Sequence, residues 1–165
     1  MKKIKISDNV IRRLPKYVRK LNEMSDRGMT AVLVGAGNLG RALMENFDFS
    51  ECGVSLKAAF DTDKTLIGTS IAGVHIYDAE ELEQFISGNT VGLAILCVPK
   101  SVAPKVGERL KKCGIGAIWN FSNTEVLEPF SEVLSENPHF SDSLLVLSYY
   151  LTQRKNENER KALRR

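Results

Sequence analysis

Short unbroken apolar runs alternate along this chain with stretches in which apolar residues recur every three or four positions. Thr30-Ala31-Val32-Leu33-Val34 is the first run, and Val91 to Val98 and Ala117-Ile118-Trp119-Asn120-Phe121 are later ones. Runs of this length bounded by glycine or proline are the signature of strands buried on both faces. Leu56-Lys57-Ala58-Ala59-Phe60 and Val74-His75-Ile76-Tyr77 read as two more strands, with Gly68 and Gly73 punctuating the loop between them. Helical spacing fills the gaps. It carries Leu39, Leu43, Met44 and Phe47, then Leu82, Phe85 and Ile86 behind a capping Asp78, then Val102 to Lys112 before a stop at Gly114. This alternation predicts an α/β fold, a doubly wound parallel sheet with right-handed crossovers and ligands at the carboxyl ends of its strands.

Both ends add a helix. Val10, Leu14, Val18, Leu21 and Met24 form one apolar face of an N-terminal helix over 1–28, capped by Ser7 or Asp8, kinked at Pro15 and ended by Gly28. The segment Leu144-Leu-Val-Leu-Ser-Tyr-Tyr-Leu151 is apolar on more than one face, too much for a helix with one side in water. It calls for a partner subunit, or else for burial as a strand or core helix of the monomer. The expected division is thus an N-terminal helical segment 1–28, a nucleotide-binding domain 29–140, and a C-terminal dimerisation helix with a basic tail over 141–165.

The first strand runs directly into Gly35-Ala36-Gly37-Asn38-Leu39-Gly40, which opens the first helical stretch. A lone GxGxxG is a weak signal, but here strand, loop, helix, second strand and acid form one βαβ unit of the Rossmann type. Gly35 suits the tight turn, Gly37 the approach of a pyrophosphate, and Gly40 the close packing of helix on strand. Asp61 lies 21 positions beyond Gly40, where a carboxylate accepts hydrogen bonds from the adenosine ribose hydroxyls and repels a 2′-phosphate, favouring NAD(H) over NADP. Asp63 is the alternative ribose partner, with Asp61 then helping to cap the turn. An ordinary turn aspartate is a third reading.

At 165 residues, 43% hydrophobic and 26% charged, the composition fits one globular domain. No apolar run approaches a membrane span and the N-terminus lacks a signal peptide's apolar core, so a cytoplasmic protein is expected. Cys52, Cys97 and Cys113 have neither disulfide-framework nor zinc-site spacing and are read as reduced, and no metal site is expected. Charge is uneven. Residues 1–27 hold nine Lys/Arg against three Asp/Glu and residues 153–165 six against two, which leaves the middle with eight against fifteen. An acidic body does not look like a nucleic-acid surface; the basic ends either touch phosphate or keep exposed helices solvated.

Taken together, Val34-Gly-Ala-Gly-Asn-Leu-Gly-Arg-Ala-Leu43, Ala58-Ala-Phe-Asp-Thr-Asp63, Gly68 with Gly73, Leu96-Cys-Val-Pro99 and Gly114-Ile-Gly-Ala-Ile-Trp-Asn-Phe121 resemble the redox-sensing transcriptional repressor Rex family. Val10-Ile-Arg-Arg-Leu-Pro-Lys-Tyr17 looks like that family's first helix and Leu147-Ser-Tyr-Tyr-Leu151 like its last. The resemblance implies an NAD(H)-binding sensor in which NADH releases a dimer from its operator. It implies that Val98, Pro99, Asn120 and Phe121 line the nicotinamide side, and that the C-terminal helix is swapped between subunits of a homodimer. It also implies an aspartate switch near the start of that helix; Asp142 is the candidate, one turn closer to the tyrosines than the family spacing, with His139 nearer the expected place. In the family a winged-helix domain precedes the nucleotide domain, but only Met24 to Gly28 separates the first-helix-like segment from the first strand. No room is left there for a recognition helix, so DNA is expected to be contacted weakly or through a partner.

Three other readings remain. A dehydrogenase would need a second domain for its substrate and a catalytic histidine or lysine, neither of which is evident, so no catalytic residue and no enzyme is expected. A coenzyme A-binding domain would use the same glycine loop, but its ribose 3′-phosphate sits poorly with Asp61. The third is an NAD-binding partner that modulates a full-length Rex. His75 and His139 have no ligand set beside them and read as surface or half-buried residues.

Overall fold

A computed structural model describes residues 28–127, 132–138, 144–152 and 154. The predicted N-terminal helix, His139 and Asp142 lie outside those residues.

The sheet is built around β1 (Met29–Val34), whose last four residues are buried, and it binds β2 (Val54–Asp61) on one side and β5 (Leu93–Leu96) on the other, both parallel. Beyond β2 comes β4 (Val74–Asp78), and beyond β5 come β6 (Ala117–Asn120) and β7 (Leu134–Glu136), all parallel; with β3 (Ser70–Ile71) outside β4, the full order is β3-β4-β2-β1-β5-β6-β7. The chain winds outward from β1 through β2 to β4, then returns to β5 on the far side. That reversal makes the carboxyl ends of β1 and β5 the topological switch point, where such sheets open a crevice.

Helices cover both faces. α1 (Asn38–Asn46) packs Met44 over a layer with Ala31, Leu33, Ala59, Ile76 and Ile95. α2 (Leu82–Gly88) and α3 (Ala103–Lys112) pack Leu82, Ile86 and Leu110 over Val32, Val34, Phe60 and Leu96 on the opposite face. The alternation of side chains along each strand thus feeds two cores, which is why the strands read as continuously apolar. Asp78 caps as expected, but onto a 3-10 turn (Ala79–Glu81) ahead of α2. Its Oδ1 accepts from Glu80 N at 2.9 Å, and Glu81 accepts from Asp78 N in return. α3 begins with Pro104 in its first turn and ends with Arg109, Lys111 and Lys112 against the negative end of the helix dipole.

Three expectations change. The run Val91 to Val98 yields a strand only over Leu93–Leu96, because the chain leaves the sheet at Cys97 after one last bond from Cys97 N to Val34 O. The loop punctuated by Gly68 and Gly73 contains β3 (Ser70–Ile71), which turns back onto β4 in an antiparallel hairpin. The turn residues Ala72 and Gly73 both have positive φ, as a two-residue hairpin of the right-handed sheet demands. The third is β7, an exposed edge strand whose Leu-Ser-Glu sequence has no strand signature of its own. Residues 144–152 are helical, and no helix among the described residues is long and apolar enough to cross a membrane.

α1 lies almost on the backbone of the preceding loop. A Cβ at Gly40 would stand 2.0 Å from the Gly35 carbonyl oxygen, a backbone atom that cannot retreat. Gly40→Ala is therefore expected to destabilise the fold by about 3 kcal/mol, the upper range for overpacking, measured as a lower urea midpoint at unchanged slope.

Candidate functional site

A cavity of about 630 Å³ opens at the switch point. Its rim is assembled from four strand ends: Val34 and Gly35 at the end of β1, Asp61 and Thr62 at the end of β2, Cys97, Val98 and Pro99 after β5, and Phe121 with Ser122 after β6. The sheet ladder positions them. Gly35 N donates to Phe60 O at 2.8 Å and Phe121 N to Leu96 O at 2.9 Å, so each loop leaves its strand at the same level.

The glycine loop lines the cavity through Gly35, Gly37 and Leu39. Gly35 has a φ of +98°, and a Cβ there would meet the Cys97 carbonyl at 2.6 Å, so the fold itself requires that glycine. Gly37 differs. It has φ −65° and ψ −162°, an ordinary extended conformation, and a Cβ there would meet nothing within 4 Å. Gly37 caps α1 without any side-chain hydrogen bond, and no acidic residue stands in the first turn. The amides of Asn38, Leu39 and Gly40 have no acceptor within the helix by its geometry, so the N-terminus presents bare N–H groups and positive dipole beside the cavity.

Asp61 faces the cavity and also braces the loop. Ala36 N donates to its Oδ2 at 2.6 Å and Asp63 N to its Oδ1 at 2.9 Å. Each oxygen keeps a second lone pair, so the carboxylate still has acceptor capacity toward the cavity. Asp63 is drawn into the turn instead. Its Oδ1 accepts from the Thr65 hydroxyl at 2.7 Å and the Thr65 amide at 2.8 Å, bonds that hold its carboxyl below the usual range, and it does not line the cavity.

Val98, Pro99 and Phe121 line the other end of the cavity, but Asn120 does not. Its side chain is 1% exposed and wholly committed. Nδ2 donates to Thr124 O at 2.6 Å and Asn137 Oδ1 at 2.7 Å, while Oδ1 accepts from Ser122 N and Ser122 Oγ. Asn120 therefore supports the loop behind Ser122 and ties β6 to the chain after β7. Cys97 also lines the cavity, and burial pushes its thiol up to about 12, so it stays neutral and offers no negative charge there.

Sequence reasoning missed the wall made by α3. Val102, Lys105, Val106 and Arg109 line the cavity together with Ala79. Their spacing of three and four residues was the available signal, hidden because a face mixing valine with lysine and arginine reads as solvated. Arg109 and Glu83 form an ion pair between α3 and α2, and the guanidinium's hydrogen bonds hold the Glu83 carboxyl below the usual range. His75 is half-buried against Tyr77, with Ser70 Oγ 3.4 Å from Nδ1. The cysteines are free, and no cluster of metal-ligating side chains occurs among the described residues.

Comparison with known proteins agrees with this geometry. Residues 26–124 match the family described as CoA binding domain. The redox-sensing transcriptional repressor Rex of Caldanaerobacter subterraneus subsp. tengcongensis is 42% identical over 128 residues, which are 78% of this chain and 57% of that protein. Its counterpart from Clostridioides difficile is 40% identical over 130 residues, 79% of this chain and 61% of that protein. The chain thus spans about three fifths of the length of these curated relatives. Among solved structures, RSP, described as a Rex-family repressor, superposes with a TM-score of 0.78 at 31% identity, covering 96% of this chain and 100% of RSP. RSP has also been crystallised with beta-NADH (TM-score 0.78, 31% identity, 95% of this chain and 99% of RSP). Its complex with beta-NAD+ and operator DNA gives a TM-score of 0.72 at 30% identity, covering 97% and 99%. At 31% identity over the whole of RSP and about 40% identity to the curated repressors, the chain belongs to the Rex family, whose curated members are redox-sensing transcriptional repressors.

Proposed function

We propose that this chain is a non-enzymatic NAD(H)-binding redox sensor of the Rex type. The observation that carries this reading is Gly37, which the fold does not need to be glycine. It lines the cavity in unstrained backbone with open space where a side chain would go, beside the bare N-terminus of α1. A glycine of that kind leaves room for a ligand, and bare amides with positive dipole suit a pyrophosphate. Gly35, Ala36, Gly37, Asn38, Leu39 and Gly40 would hold the phosphates, and Asp61 the adenosine ribose.

The nicotinamide carries a positive charge when oxidised and none when reduced. Val98, Pro99, Phe121 and the neutral Cys97 form an apolar wall with no carboxylate, which penalises the charged ring and prefers the neutral one. Solved RSP complexes with both beta-NADH and beta-NAD+ support the assignment of the cofactor.

We assign the output to a homodimer. In the helical segment 144–152, Leu144, Leu147 and Leu151 are 71%, 61% and 67% exposed, and the two tyrosines stand open beside them. An apolar helix this bare needs a partner, and a second copy of the chain satisfies it symmetrically. With an acidic middle, the described domain carries the nucleotide, and operator contact is assigned to the basic ends or to a partner protein. Cytoplasmic placement is consistent with three free cysteines.

Calorimetric titration with NADH, NAD+, NADPH and coenzyme A tests the reading. NADH is expected to bind at least about tenfold more tightly than NAD+, the equivalent of part of a ring-charge desolvation cost. Binding of coenzyme A without NADH would assign the site to the other ligand. Gly37→Val is expected to melt at the unaltered temperature yet show no measurable NADH binding, because its side chain occupies only the ligand's space. Truncation after Asp142 is expected to convert a dimer to a monomer in sedimentation equilibrium; an intact dimer would reject the helix as the contact.

A further inference from the structure

The glycine loop and Asp61 do not account for the whole cavity. Phe60, Ala79 and Val106 line a further, apolar part of it, the slot, and Arg109 lines the cavity with them. The arginine is held from outside. Its Nε and Nη2 donate to the two carboxylate oxygens of Glu83, the Nη2 bond measuring 2.6 Å, and Nη2 also donates to the Ala79 carbonyl at 2.8 Å. These bonds use the Nε hydrogen and both Nη2 hydrogens. Nη1 keeps two N–H donors that no described residue accepts from. A bidentate carboxylate fixes the guanidinium plane, so those donors are held in one place instead of sweeping through solvent.

The slot's position decides which group fits it. Phe60 lies near the end of β2 and Ala79 just after β4, and Phe60 and Val106 belong to the core on the α3 face of the sheet, whereas the bare N-terminus of α1 belongs to the other face. Phosphate is therefore served elsewhere. A group that matches apolar walls on its faces and a fixed charged donor at its edge is a flat heterocycle with ring acceptors.

Resting on the NAD(H) reading, we propose that Arg109 is the residue that reads the adenine base, donating from Nη1 to a ring nitrogen, with Glu83 as its positioning residue. The assignment makes Arg109 on α3 and Glu83 on α2, with the Ala79 carbonyl of the preceding turn, responsible for base recognition, separately from the loop that takes the phosphates.

Fragments of the cofactor separate this from a general effect of charge. The full chain is titrated with NADH, AMP and nicotinamide mononucleotide, as the unaltered protein and as Arg109→Met, Arg109→Lys and Lys111→Met. Loss of one hydrogen bond from a charged donor is expected to weaken AMP and NADH by about tenfold in Arg109→Met. Nicotinamide mononucleotide should be unchanged, which also reports that the variant is folded. Arg109→Lys, with the charge but not the fork, should not restore affinity. Lys111→Met, which removes a charge from the same helix away from the cavity, should bind AMP normally. A parallel series on the unaltered protein uses 1-deaza-, 3-deaza- and 7-deaza-AMP, of which one should lose about the same factor. Full affinity of all three deaza compounds, normal AMP binding by Arg109→Met, or full rescue by lysine would each overturn the assignment of Arg109 while leaving the NAD(H) reading standing. Failure of the unaltered protein to bind NADH would overturn both.

Discussion

The contact between α1 and the loop before it governs the rest of the molecule. Gly40 sits so close to the Gly35 carbonyl that no side chain fits between them. This contact brings the first turn of α1 down onto the end of the central strand. From there the loop is locked from two directions, by the Gly35 bond to β2 and by the Asp61 carboxylate on Ala36 N. The helix dipole and its unpaired amides consequently point at one place, the crevice where the winding of the sheet reverses. Had the helix stood farther off, the same motif would have been a flexible loop at the sheet edge.

Around that fixed point the cavity divides by polarity. One end carries Asp61 and, beyond it, the ion-paired Arg109, while the other is lined by Val98, Pro99, Phe121 and a thiol that burial keeps protonated. The charged groups at the first end are already anchored to protein: Asp61 to backbone amides and Arg109 to Glu83 and Ala79. Groups anchored in this way keep their orientation when a ligand arrives, so little is lost in ordering them. The apolar end has no fixed charge to offset that of an oxidised nicotinamide. The two ends suit a cofactor whose adenosine half is constant and whose nicotinamide half changes charge.

Behind the apolar end, a polar network leads toward the C-terminus. Ser122 lines the cavity and donates to Asn120, and Asn120 donates to Asn137, just past β7. Farther along the chain comes the helical segment 144–152 with its exposed leucines and tyrosines. The cavity is thus tied through Ser122, β6 and one buried asparagine to the residue that follows β7.

Much of this was legible in one dimension, and the limits follow from the range of the interactions. Local patterns determined the strands β1, β2, β4 and β6, the capping by Asp78, and the glycine loop followed by an acid, because each is set by neighbours within a turn or a strand. The short β3 and β7 were not legible: a two-residue hairpin strand and a polar edge strand exist only because β4 and β6 offer them a free row of backbone groups. The family resemblance implied that Asn120 lines the cavity, yet its partners lie on loops 2, 4 and 17 residues away and hold it underneath. Arg109 was not singled out in the sequence, being one of several basic residues on the helix before Gly114. Its role depends on Glu83 and Ala79, 26 and 30 residues earlier, which only the packing of α3 beside α2 brings within reach. Sequence alone thus determined where the proposed phosphate loop lies, since backbone geometry and helix polarity are local properties. Which side chains enclose the rest of it was decided by tertiary structure, because hydrogen bonds between distant segments leave no periodic trace.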